Sequence, residues 1–192
     1  MSRRFVVAST LILSWAVARP ATMVAQAQPP APAAGPAADP MDVASPEAIV
    51  AAVYDVLSGT ATQQRNWDRY RSLFIPGGLV IPTGAPMQPG AKARVRAMSP
   101  GEYAKSADPQ LKTEGFFERE IARVVESFGS IMHVFSTYES RHAPEDREPF
   151  GRGINSFQLF NDGTRWWIVT VYWDRERPGN PIPAKYLPSG RK

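Results

Sequence analysis

Histidine is the side chain best suited to acid–base chemistry near neutral pH, because its ordinary pKa is about 6.5. The sequence has two histidines. His133 lies among apolar neighbours within the predicted strand 130–141, so it is the best candidate for a catalytic acid or base if its ring faces a pocket. The alternative is a core histidine whose ring nitrogens bond to a backbone group or a tyrosine. His142 lies in a charged turn and is predicted to be solvated.

The acidic residues form no obvious catalytic pair. Asp68 lies in a short predicted helix, where a surface or helix-pairing role is expected, and Asp55 is expected to be an exposed helix charge. Charges on both faces of the predicted strand 115–127 are explained by cross-strand ion pairs, although an arginine facing a pocket would instead suit an anionic ligand. These charged residues are Glu118, Arg119, Glu120 and Arg123.

Aromatic and amide side chains are the best candidates for the lining of a ligand pocket. Pockets for small molecules are mostly apolar and aromatic, with a few polar groups that fix the ligand. Most of the aromatic residues must belong to the core, and the sequence does not separate the two sets. The predicted pocket residues are Tyr54, Trp67, Tyr70, Tyr103, His133, Phe135, Asn155 and Phe157.

Several kinds of chemistry are excluded or disfavoured by what the sequence lacks. It contains no cysteine, so disulfides, reactive thiols and cysteine-ligated metals are excluded. Two histidines without close His/acid spacing make a dedicated transition-metal site improbable. There is no glycine-rich phosphate loop that opens a helix and no G-x-S-x-G motif. We therefore predict neither a metal nor a cofactor.

Helices come first in the chain and strands follow. A helix is predicted to begin at Pro46, because Ser45 can cap it, proline is favoured at the first helical position and Glu47 places an acid in the first turn. Asn161-Asp162-Gly163 is a strong hairpin signal. Helices followed by hairpin-linked strands predict an α+β fold with N-terminal helices on an antiparallel sheet. The predicted helices are 46–57, 67–74 and 99–107, and the predicted strands are 79–81, 115–127, 130–141, 151–160 and 164–173.

The last predicted strand is apolar on both faces. Strict alternation places Trp166, Ile168, Thr170 and Tyr172 on one face and Trp167, Val169, Val171 and Trp173 on the other. A sheet that is covered on one side only should alternate apolar and polar residues. We therefore predict that the second face meets a partner subunit, which makes a homodimer, or is covered by the proline-rich C-terminal tail 176–192.

The pattern resembles the nuclear transport factor 2-like superfamily, which includes SnoaL-like cyclases and ketosteroid isomerases. The resemblance rests on the helix 46–57, the stretch 66–74 and the ending 163–169, and it extends over 45–175. It implies a curved sheet wrapped against helices, forming a cone with an apolar pocket. Members include enzymes, ligand binders and interaction modules, so the fold does not determine function. The segment 78–83 contains no acid, which departs from the base expected in an isomerase.

The N-terminus has the features of a secretory signal peptide. A basic start, an apolar run and the A-x-A site at Ala25-Gln26-Ala27 predict cleavage after residue 27. The alternative is a retained anchor, and Sec and twin-arginine export both stay open. A disordered Pro/Ala-rich linker is predicted over 28–44. We therefore predict a periplasmic or secreted protein that is not attached to the membrane after cleavage.

Cleavage would leave a nearly neutral protein. The whole chain carries 22 Lys+Arg and 18 Asp+Glu, and Arg3, Arg4 and Arg19 precede the predicted cleavage site. The remaining balance is 19 − 18 = +1. A nearly neutral domain lacks the charge expected for binding a phosphate backbone, so nucleic acid is not a predicted partner.

Three functions are consistent with the sequence. The first is an exported domain that binds a small apolar ligand. The second is a cofactor-independent cyclase, isomerase or dehydratase-like enzyme in which His133 is the acid or base. The third is a dimeric interaction module without a ligand. The position of His133 relative to a cavity separates the second function from the others.

Overall fold

The computed structural model of the chain describes residues 35–85 and 92–188. The predicted signal peptide, the first part of the predicted linker, and positions 86–91 lie outside the described residues. None of the helices described is long and apolar enough to cross a membrane.

The helices begin where the sequence provides capping groups. The Ser45 hydroxyl accepts a hydrogen bond from the amide of Ala48 at 3.1 Å, and Ser99 and Glu102 form a reciprocal capping box. The α-helices are α1 (Pro46–Leu57), α2 (Trp67–Ser72) and α3 (Pro100–Leu111), and short 3₁₀ helices lie at Pro40–Val43 and Ala184–Tyr186.

Six strands form one sheet. They are β1 (Phe74–Gly84), β2 (Arg94–Val95), β3 (Phe117–Phe128), β4 (Ile131–Arg141), β5 (Gly151–Asn161) and β6 (Trp166–Arg175). Their order across the sheet is β2-β1-β6-β5-β4-β3. The predicted α+β class is confirmed, but the sheet is mixed, since β1 and β6 run parallel. The three pairs among β3, β4, β5 and β6 are antiparallel, as predicted. Strand β1 also pairs antiparallel with β2, a strand that the sequence did not predict.

The folded domain begins before residue 45, which was its predicted start. Val43 is 5% exposed and belongs to the core. The guanidinium of Arg69 binds the Asp42 carboxylate, with Nε 2.7 Å from Oδ2. Residues 40–43 therefore pack onto the domain because an apolar side chain and an ion pair hold them there, and the prediction of a disordered linker through residue 44 is wrong for them.

Several other element boundaries differ from the prediction. Helix α2 ends at Ser72 instead of residue 74, and β1 begins at Phe74 instead of residue 79. The Pro76-Gly77-Gly78 segment, predicted to end a helix, lies inside β1 and interrupts its register with β6, and Gly77 has a φ of 80°. Helix α3 continues past Pro109, which falls in its last turn.

The inner face of the sheet packs against the helices. Ile49 and Val50 of α1 are completely buried, as are Val134 of β4, Phe157 of β5 and Ile168 of β6. These residues belong to one continuous core cluster. The helices thus cover the inner face.

Strand β6 contains an irregularity that changes which side chains share a face. Leu159 pairs with Ile168, but the next residue back, Gln158, pairs with Thr170, so Val169 is left over as a bulge. A bulge inserts one residue and reverses the alternation beyond it. Val171, 3% exposed, therefore joins Ile168 on the inner face. The predicted alternation is wrong beyond Ile168.

The outer face of the sheet is partly covered by the C-terminal tail. The Tyr186 ring packs against Phe135 of β4, with centroids 5.0 Å apart. The hydroxyl of Thr137 donates to the Tyr186 carbonyl oxygen at 2.6 Å. Ile182 is 8% exposed. Beyond the tail, the outer face exposes apolar side chains such as Phe128, which is 84% exposed.

Candidate functional site

A cavity of about 270 Å³ lies between the helices and the inner face of the sheet. Aromatic and aliphatic side chains form most of its wall, and a smaller group of polar side chains enters it from the sheet. The apolar and aromatic lining includes Val53, Leu57, Tyr70, Tyr103, Phe157, Val171 and Trp173, and the polar lining includes Ser106, Gln110, Glu118, Tyr138, Asn155 and Arg175. The cavity therefore combines an apolar wall with a polar cluster.

Four neighbouring strands each contribute one polar residue to this cluster. Glu118 comes from β3, Tyr138 from β4, Asn155 from β5 and Arg175 from β6. Because side chains alternate along a strand, the pairing register determines which residues face inward together. The four residues occupy one end of the inner face as a result.

Glu118 is the acid at the centre of the cluster. Its Oε2 accepts a hydrogen bond from the Ser140 hydroxyl at 3.0 Å, and its Oε1 accepts one from Nδ2 of Asn155 at 3.3 Å. Burial raises the pKa of Glu118 to about 7, although both hydrogen bonds and the charge of Arg175 oppose that rise. Glu118 can therefore both release and accept a proton near neutral pH.

A directed chain of hydrogen bonds leads away from Asn155. Its Nδ2 donates to the Tyr54 hydroxyl oxygen at 3.1 Å, and the Tyr54 and Ser136 hydroxyl oxygens lie 2.6 Å apart. The Ser136 hydroxyl uses its hydrogen in a hydrogen bond to the Glu120 carboxylate. The Tyr54 hydroxyl must therefore be the donor in the hydrogen bond between Tyr54 and Ser136. Burial raises the pKa of Tyr54, so its hydroxyl stays protonated. The chain fixes the amide of Asn155 with its nitrogen toward Glu118.

Three tyrosine hydroxyl groups border the cavity. Burial raises the pKa of Tyr70, Tyr103 and Tyr138, so all three are neutral hydrogen-bonding groups. Tyr138 lies directly over Gly153 of β5, where a β-carbon would be 2.5 Å from its hydroxyl oxygen. The missing side chain at Gly153 thus makes room for the Tyr138 ring.

Half of the predicted pocket residues line this cavity. They are Tyr70, Tyr103, Asn155 and Phe157. Tyr54 does not line the cavity, but its hydroxyl oxygen accepts a hydrogen bond from Asn155, which does. Trp67 packs edge-on against Tyr70 and donates its indole N–H to Asp108 at 2.8 Å, so it supports the wall without lining it.

His133 and Phe135 lie on the other side of the sheet. Nε2 of His133 is 2.9 Å from the Ser156 hydroxyl oxygen, and its ring packs against Phe135 at 5.4 Å. Their neighbour Val134 faces the core, and alternation therefore directs both residues outward. His133 does not line the cavity, and the hypothesis that it is the acid or base of the pocket is wrong. His142 stacks on Phe150 at 4.2 Å at the exposed end of β4.

Sequence reasoning missed Glu118, Tyr138 and Arg175. Cross-strand pairing explains Arg119, which binds Glu139, but among the described residues Glu118 has no ion pair. The signal that could have identified Glu118 is strand parity, since its partner in the register is Ser140, on the same face as Tyr138. Arg175 was missed because the predicted strand ended at residue 173.

The part of the chain that the structure describes contains no group of three or more His, Cys, Asp or Glu side chains arranged to hold a metal ion. The polar cluster contains a single carboxylate, Glu118, beside an amide and hydroxyl groups. Together with the guanidinium of Arg175, these groups can form hydrogen bonds, and Glu118 can exchange a proton.

No protein-family model matches the chain, and no curated protein matches it significantly. Solved structures do. A protein of unknown function with a cystatin-like fold from Nostoc punctiforme superposes with a TM-score of 0.50 at 11% identity, covering 67% of this chain and 86% of that one. A protein of unknown function from Mycobacterium tuberculosis superposes with a TM-score of 0.53 at 13% identity, covering 72% and 75%.

A third similar structure is an NTF-2 like protein of unknown function from Silicibacter pomeroyi, with a TM-score of 0.46 at 14% identity, covering 69% of this chain and 94% of that one. Identities this low establish the fold alone. The helix-covered curved sheet with its inner cavity is the α+β fold that the resemblance to the nuclear transport factor 2-like superfamily implied.

Proposed function

We propose that this protein binds a small, mainly apolar molecule in the cavity between its helices and the inner face of the sheet. The observation that carries this proposal is the composition of the wall, in which aromatic rings from α2, α3, β5 and β6 surround one cluster of polar groups. Binding sites for small molecules combine these two elements, because apolar surface provides affinity and a few polar groups fix the orientation.

The wall accounts for both parts of such binding. Phe157 and Trp173 provide apolar surface from the sheet, and Tyr103 faces them from α3. Tyr138 and Asn155 provide neutral hydrogen-bonding groups. A ligand with an apolar ring and at least one polar substituent matches this arrangement.

The test is to fill the cavity from helix α3. Ala107 lines the cavity, whereas Lys105 lies on the same helix away from it. Binding of 2-naphthol, followed by ligand-observed NMR, should be lost in Ala107→Phe and retained in the matched control Lys105→Phe. Native mass spectrometry of protein from its own host should detect a bound molecule in the wild type and none in Ala107→Phe. Equal binding by both variants would contradict the proposal.

A second candidate function is proton transfer on the bound molecule, with Glu118 as the acid–base residue. It is favoured by one observation, the rise of the Glu118 pKa to about 7 in a cavity. A carboxylate with this pKa can take a proton from a carbon acid, so that the C–H bond breaks and an O–H bond forms on Glu118. The neutral hydroxyl of Tyr138 can donate a hydrogen bond to the oxygen on which charge develops.

Isotope exchange tests this second function. In D₂O, a bound ketone such as 2-tetralone should exchange its acidic C–H protons faster than in buffer. Glu118→Gln should abolish that acceleration and leave binding within about threefold, since Gln keeps the shape and loses the base. If Glu118→Gln exchanges as fast as the wild type, Glu118 is not the base, and the binding proposal is unaffected.

We also propose that the protein is exported and forms a homodimer. Export is supported by the basic start, apolar run and A-x-A site at residues 25–27. Dimerisation is supported by apolar side chains on the outer face beyond the tail, including Phe128 and Ile131, which are 84% and 58% exposed. Cell fractionation with N-terminal sequencing tests the first proposal. Light scattering of wild type and Phe128→Asp tests the second, and a monomeric wild type would overturn it.

A further inference from the structure

We propose that the ligand of this cavity carries a carboxylate group, which Arg175 binds at the cavity rim. The inference rests on the proposed function, because it concerns which small molecule the cavity accepts. It assigns a substrate class, aromatic or alicyclic monocarboxylates, and a specificity-determining residue at the end of β6.

Arg175 is the single cationic residue of the cavity lining. Its charge acts inside the cavity, since it lowers the pKa of Glu118, Tyr103 and Tyr138 against the effect of their burial. Among the described residues, no carboxylate oxygen lies within 4.0 Å of its guanidinium nitrogens. The guanidinium therefore enters the rim without a carboxylate partner.

The acids that flank Arg175 in the chain are already paired with other arginines. Oδ1 of Asp174 lies 2.7 Å from Nη1 of Arg177. Oε2 of Glu176 lies 2.7 Å from Nη2 of Arg152. Both acids point to the outer side, because side chains alternate along β6. Alternation leaves Arg175 directed toward the cavity, away from both neighbouring carboxylates.

Most other arginines of the described residues already bind a carboxylate, backbone carbonyl groups or an aromatic ring. Arg65 is buried and donates four hydrogen bonds to backbone carbonyls. Arg69 binds two aspartates, and Arg165 stacks on the Trp167 ring at 3.6 Å. These arginines are structural. Arg175 is the arginine that lines this cavity, and it has no carboxylate partner among the described residues.

The chemistry of the rim favours a carboxylate over a more highly charged anion. A guanidinium presents a planar pair of N–H donors that matches the two oxygens of a carboxylate. Tyr138, a neutral hydroxyl on the same rim, can donate a further hydrogen bond. A dianion such as a phosphate monoester would bring a second charge toward Glu118 with no second cation in the lining.

A matched pair of probes tests the proposal. The probes are 2-naphthoate and 2-naphthamide, which share the ring and differ in the charged group. Isothermal titration calorimetry at about pH 6 keeps naphthoate ionised and Glu118 mostly protonated. The wild type should bind naphthoate at least about tenfold more tightly than naphthamide, which is the range expected for a charge-assisted hydrogen-bonded pair.

Substitutions assign the preference to Arg175. Arg175→Gln should bind the two probes equally, and Arg175→Lys should retain part of the preference, because it keeps the charge and loses the planar pair of donors. The matched control is Arg177→Gln, which removes a neighbouring arginine that pairs with Asp174 and should leave the preference unchanged.

The outcomes separate the two proposals. Equal affinity of the wild type for both probes, or a preference that survives in Arg175→Gln, overturns the carboxylate proposal and leaves the binding proposal intact. If neither naphthoate, naphthamide nor 2-naphthol binds the wild type, the proposed function itself fails, and the carboxylate proposal fails with it.

Discussion

The two faces of the sheet carry similar side chains and use them differently. On the inner face, Glu118 and Asn155 meet beside an open cavity, and burial moves the pKa of the acid to about 7. On the outer face, His133 binds the Ser156 hydroxyl and packs against Phe135, which the tail covers with Tyr186. The residue type most often associated with acid–base chemistry thus lies on the face opposite the cavity that holds Glu118. Position on the sheet, more than residue type, determines which groups can act on a ligand.

The sharpest test of this contrast concerns adjacent residues of β6. Val171→Asp should lower the free energy of unfolding by about 4 kcal/mol, because it places a carboxylate in the core without a partner. Thr170→Asp, one residue earlier on the outer face, should change it by less than about 1 kcal/mol. Urea denaturation measures both. If Thr170→Asp is the more damaging change, β6 has no bulge at Val169 and its side chains alternate strictly between the two faces.

Gly153 tests the packing of the inner face. A β-carbon there would lie 2.4 Å from the Asp174 carbonyl oxygen and 2.5 Å from the Tyr138 hydroxyl. Gly153→Ala should therefore lower the free energy of unfolding by about 2–3 kcal/mol through overpacking. Gly151→Ala is the control on the same strand, since nothing lies within 4 Å of its β-carbon. Equal losses in thermal unfolding would show that Tyr138 does not depend on the space at Gly153.

The raised pKa of Glu118 predicts a pH-dependent stability. The folded state favours protonated Glu118, so this contribution is complete below the unfolded pKa of 4.5 and is lost as the pH rises toward about 7. Between these pH values, the free energy of unfolding should fall by on the order of 3 kcal/mol relative to Glu118→Gln. Parallel denaturation series from about pH 4 to 8 measure that difference.

Subtracting the Glu118→Gln series removes the titration of the other groups. Acids such as Asp42 and Glu139 have lowered pKa values, so their contributions are lost at lower pH and run in the opposite direction. A difference between wild type and Glu118→Gln that stays constant over the whole range would mean that burial does not shift the pKa of Glu118.

The smallest expected effect concerns the tail on the outer face. Thr137→Val removes the hydroxyl that donates to the Tyr186 carbonyl oxygen at 2.6 Å and should destabilise the protein by about 1 kcal/mol. Amide hydrogen exchange in residues 182–187 should speed up, while ligand binding at the inner cavity should stay unchanged. A change in affinity for 2-naphthol would show that the two faces are coupled.

The fold was predictable from local signals, and the site was only partly so. The caps at Ser45 and Ser99 and the hairpin turn 161–163 identify the helices and strands. Tyr103 and Asn155 were identified because aromatic and amide groups are frequent in pockets. Glu118 and His133 were misassigned because the face of a strand residue depends on register and bulges, which arise from pairing between strands distant in sequence.

The parallel pairing of β1 with β6 escaped prediction for a similar reason. Phe74 lies opposite Ile168, far away in the sequence, and no local residue pattern records that contact. The start of β1 was also hidden, because Pro76, Gly77 and Gly78 normally interrupt a strand. Long-range pairing overrode these local signals.

The bulge at Val169 divides β6 into two halves, and the alternation of side chains between the two faces is reversed in the second half. Deleting Val169 would remove only the extra residue, so that Ile168 and Thr170 would become neighbours and Trp173 and Arg175 would still face the cavity. If β6 of unchanged length paired without the bulge, its second half would shift by one step, so that Thr170 and Tyr172 would face the helices and Trp173 and Arg175 would face solvent. Because the cavity takes both its Trp173 surface and its cationic group from that second half, loss of the bulge without loss of a residue would remove the ligand site while leaving every cap and turn in place. The bulge in β6 is therefore a feature by which a chain of this fold would gain or lose such a pocket.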